Sequence, residues 1–155
     1  MLLKKKYTYL LTIITAIVIL FSVGYIVRTS ASKNKTFIAK EINFNTFSNK
    51  KIRIAIEQIC KDNGVFLYNL KDNATYLILD GSHANFKGEA PYFSDVKIEA
   101  KENSIRIYFT QELKNYPFGK YPQQKLVYKI TKDKKYDYIK VFKDGVETHF
   151  DSIGA

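Results

Sequence analysis

The longest apolar run in the chain is Thr8 to Val27, TYLLTIITAIVILFSVGYIV, twenty residues without a charge. As a helix rising about 1.5 Å per residue it would span roughly 30 Å, the thickness of a bilayer's hydrocarbon core. Twelve of the twenty are Leu, Ile, Val or Phe. Each such residue favours insertion by about 0.3–0.6 kcal/mol near the helix centre. Lys4, Lys5 and Lys6 stand just before the run and Arg28 closes it. This pattern predicts a signal-anchor helix embedded in the lipid bilayer, with those four cations as its basic flanks. A cleaved signal peptide is the alternative, since Thr29-Ser30-Ala31 offers small residues to a peptidase. Against it, the run is longer than the roughly 7–15 residues of a signal-peptide core. A buried core helix would need a polar face, and none interrupts the run. The contiguous lysines abutting the helix favour a cytoplasmic N-terminus and an exported C-terminal part. Arg28, Lys33, Lys35 and Lys40 on the far side bring the count close to a tie.

Behind Arg28 the composition becomes that of a soluble chain. Residues 29–47 mix Ser, Lys, Asn and Thr with few apolar anchors and are assigned to a juxtamembrane linker, with Ile42, Phe44 and Phe47 as candidates to begin the folded part. A helix is expected next. Ser48 or Asn49 can cap it, and Ile52, Ala55, Ile56, Ile59 and Cys60 fall on one face at 3.6-residue spacing. Asn63-Gly64 is expected to end it. Ile52, Ile54 and Ile56 also alternate, which leaves a strand open there.

From Val65 the period becomes two. Val65–Tyr68 and Thr75–Leu79 read as strands around Lys71-Asp72-Asn73, followed by a loop from Asp80 to Pro91. Val96, Ile98 and Ala100, then Ile105, Ile107 and Phe109, flank a turn at Lys101-Glu102-Asn103 and form the clearest hairpin. Asn115 to Pro122 reads as a loop, and Leu126 to Ile130 as another strand. Tyr138–Phe142 and Val146–Phe150 flank Asp144-Gly145, a favoured two-residue hairpin turn. The predicted fold class is α+β, mainly β: an N-terminal transmembrane helix (1–28), the linker (29–47), then an exported domain (48–155). In that domain one helix packs on a small antiparallel sheet or sandwich.

Charge and cysteine refine this only slightly. The net charge is +10, and four of those charges lie in the first 28 residues, leaving +6 behind them. A mildly basic exported domain suits anionic wall polymer or lipid headgroups. The cations are interspersed with acids, and nucleic-acid binding would want a concentrated basic stripe. Cys60 is the single cysteine, so no intramolecular disulfide forms. That usage suits a bacterial envelope protein that does not depend on bridges, with Cys60 packed in the core.

No metal-ligand motif, nucleotide loop or nucleophile elbow is present, and no cofactor is implied. Asp80, Ser82 and His83 bring an acid, a hydroxyl and an imidazole onto one loop, whereas triad members usually come from distant segments. Glu147, His149 and Asp151 would share one strand face if alternation continued. The most distinctive loop is Tyr116-Pro117-Phe118-Gly119-Lys120-Tyr121-Pro122, with three aromatics and two prolines in seven residues. Rings on a stiff loop suit recognition, because they bring contact area with little side-chain entropy to lose. Tyr116, Phe118, Lys120 and Tyr121 are therefore candidate binding residues. Lys125, Val127 and Lys129, with Tyr138, Lys140 and Phe142, are candidates for a basic and aromatic sheet face.

The order from Tyr76 to Ile130 is an apolar strand ending in Gly81, a loop, the hairpin, a proline-bearing loop and a further strand. It resembles the C-terminal domain of the PrcB-like protease-complex family over about a third of the chain. That family's Thr-Gly-Gly-Tyr signature is replaced here by Gly88-Glu89-Ala90-Pro91-Tyr92, so no functional residue carries over. The resemblance implies a protein-binding regulator of a protease. Together these readings predict a membrane-anchored extracytoplasmic module that binds an envelope protein and is not an enzyme. Binding of anionic wall polymer or lipid surface is the alternative, and an envelope hydrolase a more remote one.

Overall fold

A computed structural model describes residues 36–70, 74–117 and 124–155. The expected membrane helix, with Lys4, Lys5, Lys6 and Arg28, lies outside them. Among the described residues no helix is long and apolar enough to cross a membrane. Among the described residues the fold is mainly β, with one α-helix and two sheets.

The strands are β1 (Ile38–Ile42), β2 (Gly64–Asn69), β3 (Ala74–Gly81), β4 (Glu89–Lys101), β5 (Ser104–Asn115), β6 (Gln124–Thr131), β7 (Tyr138–Lys143), β8 (Val146–Thr148) and β9 (Ser152–Gly154). Helix α1 covers Lys50–Ile59. Five strands form one sheet in the order β1-β6-β3-β2-β9, and four form another in the order β4-β5-β7-β8.

The two sheets and the helix make three layers. Val65, Leu77, Leu79 and Ile130 point from the five-stranded sheet into a core shared with Phe93, Ile105, Ile107, Phe109 and Val141 of the four-stranded sheet. Their neighbours Phe66, Tyr76, Ile78 and Val127 point the other way, against Ile56 and Cys60 of the helix layer. Strand β3 is therefore buried on both faces along its whole length. A strand covered on both sides reads as a continuous apolar run, which is what Tyr76-Leu77-Ile78-Leu79 is.

Helix α1 forms as its periodicity predicts. Asn49 caps it, accepting from Ile52 N at 3.2 Å. Ile56 and Cys60 are buried while Ile54 is 42% exposed, so the face follows helical spacing and not alternation. It stops at Ile59, ahead of the expected Asn63-Gly64. Gly64 starts β2 instead, where a Cβ would lie 2.5 Å from an Asp151 carboxylate oxygen.

Three other boundaries shift. The fold begins inside the segment assigned to a linker, because β1 pairs with β6 from Ile38↔Thr131 to Ile42↔Val127. A short 3-10 turn, Phe44–Thr46, follows it, and Phe44 and Phe47 pack on the helix-side core. The loop expected from Asp80 to Pro91 is shorter, since β3 runs to Gly81 and β4 starts at Glu89. The first half of β4 was hidden by a bulge between Ser94 and Lys97, where Asp95 takes φ 52°, while its second half is the expected hairpin arm Val96–Ala100. The extra residue shifts the inward positions from Phe93 to Val96 and Ile98, so alternation is legible only after the bulge. Pro91 is accommodated because β4 is an edge strand.

Most pairings are antiparallel, as the short turns suggest, but β5–β7 and β2–β9 are parallel. The chain leaves β5 for the other sheet as β6 and returns as β7, making a crossover through a strand. The β7–β8 turn is of the favoured primed kind, with Asp144 at φ 51° and Gly145 at φ 84°.

Candidate functional site

Strand directions give the domain two poles. The chain enters at Phe37, whose ring meets Tyr136 edge-on at 6.0 Å, beside the Ile38↔Thr131 pair. The Lys101–Ser104 turn lies at the same end, since Asn103 O accepts from Asp137 N at 2.9 Å. At the opposite pole stand Gly81, Gln124, the start of β4 and the end of β5.

That opposite pole carries an aromatic tip. Asn85 N donates to Glu89 O at 2.8 Å, and Gly88 N donates to Asn85 O at 2.9 Å. The Asn85 side-chain oxygen accepts from Lys87 N at 2.9 Å and Glu89 N at 3.0 Å. Gly88 closes the turn at φ 77°. Phe86 sits on this hydrogen-bonded turn with 94% of its surface exposed. The Lys87 ammonium lies 5.8 Å from its ring centroid. Gly88 O accepts from Tyr116 N at 2.8 Å, which ties the turn to the start of the aromatic-proline loop. Nearby, Lys114 Nζ sits 3.1 Å over the Tyr92 ring, and Leu113 is 68% exposed.

Of the sequence-predicted loop residues, Tyr116 is half-buried at this pole, while Phe118, Lys120 and Tyr121 lie outside the described residues. The expected basic and aromatic sheet face does not assemble. Lys125 and Lys129 belong to β6 in one sheet, and Tyr138, Lys140 and Phe142 to β7 in the other. Of the β6 face expected to be exposed, Lys129 is exposed but Val127 is buried against the helix layer and Lys125 turns to a buried carboxylate, and nothing in the sequence marked the change of sheet between β6 and β7. Lys140 is paired with Glu147 at 3.1 Å, and Phe142 stacks on Tyr108 at 4.9 Å.

Lys125 instead compensates a buried charge. Asp80 is fully buried, and Lys125 Nζ lies 2.8 Å from its Oδ2, an ion pair that misses regular hydrogen-bond geometry. The other oxygen accepts from Ser82 N at 2.9 Å and Ser82 Oγ at 2.6 Å. Ser82 Oγ also lies 3.3 Å from His83 Nδ1. The serine thus sits between acid and imidazole, whereas a triad needs the imidazole between acid and serine. Asp80 acts here as the acceptor of a local turn. Cys60 lies in the same layer, and burial pushes its thiol up to about 12, with Lys125 opposing and Asp80 adding to the shift.

Glu147, His149 and Asp151 do not share a strand face, because β8 ends at Thr148. Asp151 turns back to β2, accepting from Val65 N at 2.7 Å through Oδ2 while its own N donates to Val65 O at 2.8 Å. Among the described residues no cluster of His, Cys, Asp and Glu is suited to a metal.

A cleft of about 260 Å³ opens between the sheets, also at the pole opposite Phe37. Val65, Phe93 and Phe109 line its floor, and Gln111, Lys143, Thr148, His149 and Asp151 its walls. The sequence missed it because its walls come from distant segments that meet only when the sandwich closes. No family model, curated protein or solved structure matches this chain.

Proposed function

We propose that the chain is a membrane-anchored, extracytoplasmic binding module of the cell envelope. It engages an envelope protein through the pole that carries Phe86. The observation behind this reading is Phe86 itself, a large apolar ring 94% exposed on a turn held by its own hydrogen bonds. A turn whose backbone is already ordered presents its ring with little further backbone entropy to lose on contact, which suits an interface anchor. The anchoring part of this reading comes from the sequence. The apolar segment Thr8–Val27 would hold the chain in the bilayer, and the chain enters the domain at Phe37, at the pole opposite Phe86. The resemblance in element order to PrcB-like domains would make that partner a protease complex.

Capture of anionic polymer or lipid by lysines has less support. Lys125 and Lys140 are already paired with Asp80 and Glu147, and the two lie in different sheets. A catalytic role for the Asp80 loop is opposed by the order of its hydrogen bonds.

Two measurements test the proposal in the full-length protein. A photo-crosslinking residue at position 86 should trap a discrete envelope protein in cells, while one at position 102, at the opposite pole, should not. Equal adducts at both positions, or none at 86, would overturn the reading. Protease added to intact spheroplasts should digest the domain, and protection until lysis would reverse the topology.

A further inference from the structure

The cleft between the sheets has opposite charges on its opposite walls, and they do not meet. On the four-stranded side, Val141 and Phe109 are the last apolar inward positions, and Lys143 and Gln111 follow them at the same phase. On the five-stranded side, the Asp151 carboxylate is fixed by Val65 N–H through Oδ2, and among the described residues no donor reaches its Oδ1. Among the described residues neither Lys143 nor Asp151 forms an ion pair. Two opposite charges held apart across a concave site, above an aromatic floor, are complementary to a molecule with both charges of its own.

We propose that this cleft binds a small zwitterion, a free α-amino acid. Lys143 and Gln111 take the carboxylate, and the free oxygen of Asp151 takes the ammonium. The side chain rests on Phe93 and Phe109, whose rings meet edge-on at 5.6 Å. At about 260 Å³ the cleft falls below the roughly 300–1,000 Å³ of sites for drug-sized ligands, so it suits one amino acid better than a nucleotide or a long peptide. Gly64 belongs to the design, because a Cβ there would displace the Asp151 carboxylate. The inference does not rest on the protein-binding role of the Phe86 tip, since the two use different residues.

The test is ligand-observed NMR on the full-length protein in detergent, with alanine, serine and phenylalanine as probes. N-acetylalanine and alaninamide each delete one of the two charges. At least one free amino acid should bind, and both single-charge analogues should bind about tenfold more weakly or worse, the scale of a charge-assisted hydrogen bond. Lys143→Gln and Asp151→Asn should each reduce binding similarly, with melting curves confirming that the variants fold. Because the analogues are tested on the unaltered protein, the proposal stays decidable even if a variant unfolds. No binding into the tens of millimolar range would overturn it. So would N-acetylalanine binding as well as alanine, which would mark a plain carboxylate site.

Discussion

The carboxamide of Gln124 takes the place of a neighbouring strand for Phe93. Its Nε2 donates to Phe93 O and its Oε1 accepts from Phe93 N, both at 2.6 Å. Gln124 opens β6 in the five-stranded sheet, and Phe93 lies on the free edge of β4 in the other. The contact therefore ties the two layers together and occupies backbone groups that an edge strand otherwise exposes to a second chain. Gly81 allows this close approach, since a Cβ there would overlap Pro91 O. Gln124→Ala should lose two hydrogen bonds and leave a partly buried backbone pair unsatisfied. The expected cost is about 1–3 kcal/mol, read by urea denaturation. A change within about 0.5 kcal/mol would mean that water replaces the carboxamide without loss.

Asp80 and Lys125 give a second test. Removing only the lysine strands a carboxylate in a fully buried place. Lys125→Met should therefore cost about 3–5 kcal/mol, the usual scale for breaking a buried pair. Adding Asp80→Asn should restore much of that loss, because the charge left behind is gone. If the double variant is no more stable than Lys125→Met alone, the ion pair does not explain the lysine's position.

How far these relationships were legible follows from their range. The face of α1 and the β4–β5 turn depend on residues a few positions apart, and periodicity revealed both. Strand β1 was not legible, because Ile38-Ala39-Lys40-Glu41-Ile42 alternates poorly and gains its place only by pairing with β6 across the fold. The bulge at Asp95 erased the alternation of β4 at the point where it mattered. The sheet change between β6 and β7 also defeated the expected lysine face, since strand phase says which side a residue faces but not which sheet it joins. Phe86 was passed over because a lone aromatic in a polar loop has no local pattern. What distinguishes it is the bonding of Asn85, visible only in three dimensions.

Cys60 supplies a kinetic and a pH prediction. The residue is 6% exposed, and burial raises its thiol pKa from 9.0 to about 12. A thiol reagent should label it in the native state only as fast as the helix layer opens, and at once in urea. The sign of the pH effect follows from linkage. The folded pKa is the higher one, so the contribution is fully present below about pH 9 and is lost as pH rises toward 12. Tyr128 acts in the same direction, raised from 10.0 to about 12 by burial and by Glu41. Thermal stability should therefore fall above about pH 9, and Cys60→Ala should soften the first part of that fall relative to the parent chain. Rapid labelling at neutral pH without denaturant would place Cys60 at the surface.

The Phe86 turn allows display and contact to be separated. Phe86 is almost wholly in water, so Phe86→Ser should shift stability by no more than about 0.5 kcal/mol, as exposed changes usually do. It should nevertheless weaken partner capture by about tenfold or more, because a truncated anchor at an interface centre commonly costs about 2 kcal/mol. Asn85→Ala leaves the ring in place but removes the acceptor for Lys87 N and Glu89 N. It should cost about 1–2 kcal/mol of local stability, the scale of losing such side-chain caps. It should also weaken capture, because the ring must then be ordered at the moment of contact. Comparing the pair distinguishes the two roles. A chain that tolerates Asn85→Ala in binding but not Phe86→Ser uses the ring without needing it held. A chain indifferent to Phe86→Ser in binding carries its partner elsewhere, and the aromatic tip is then no interface.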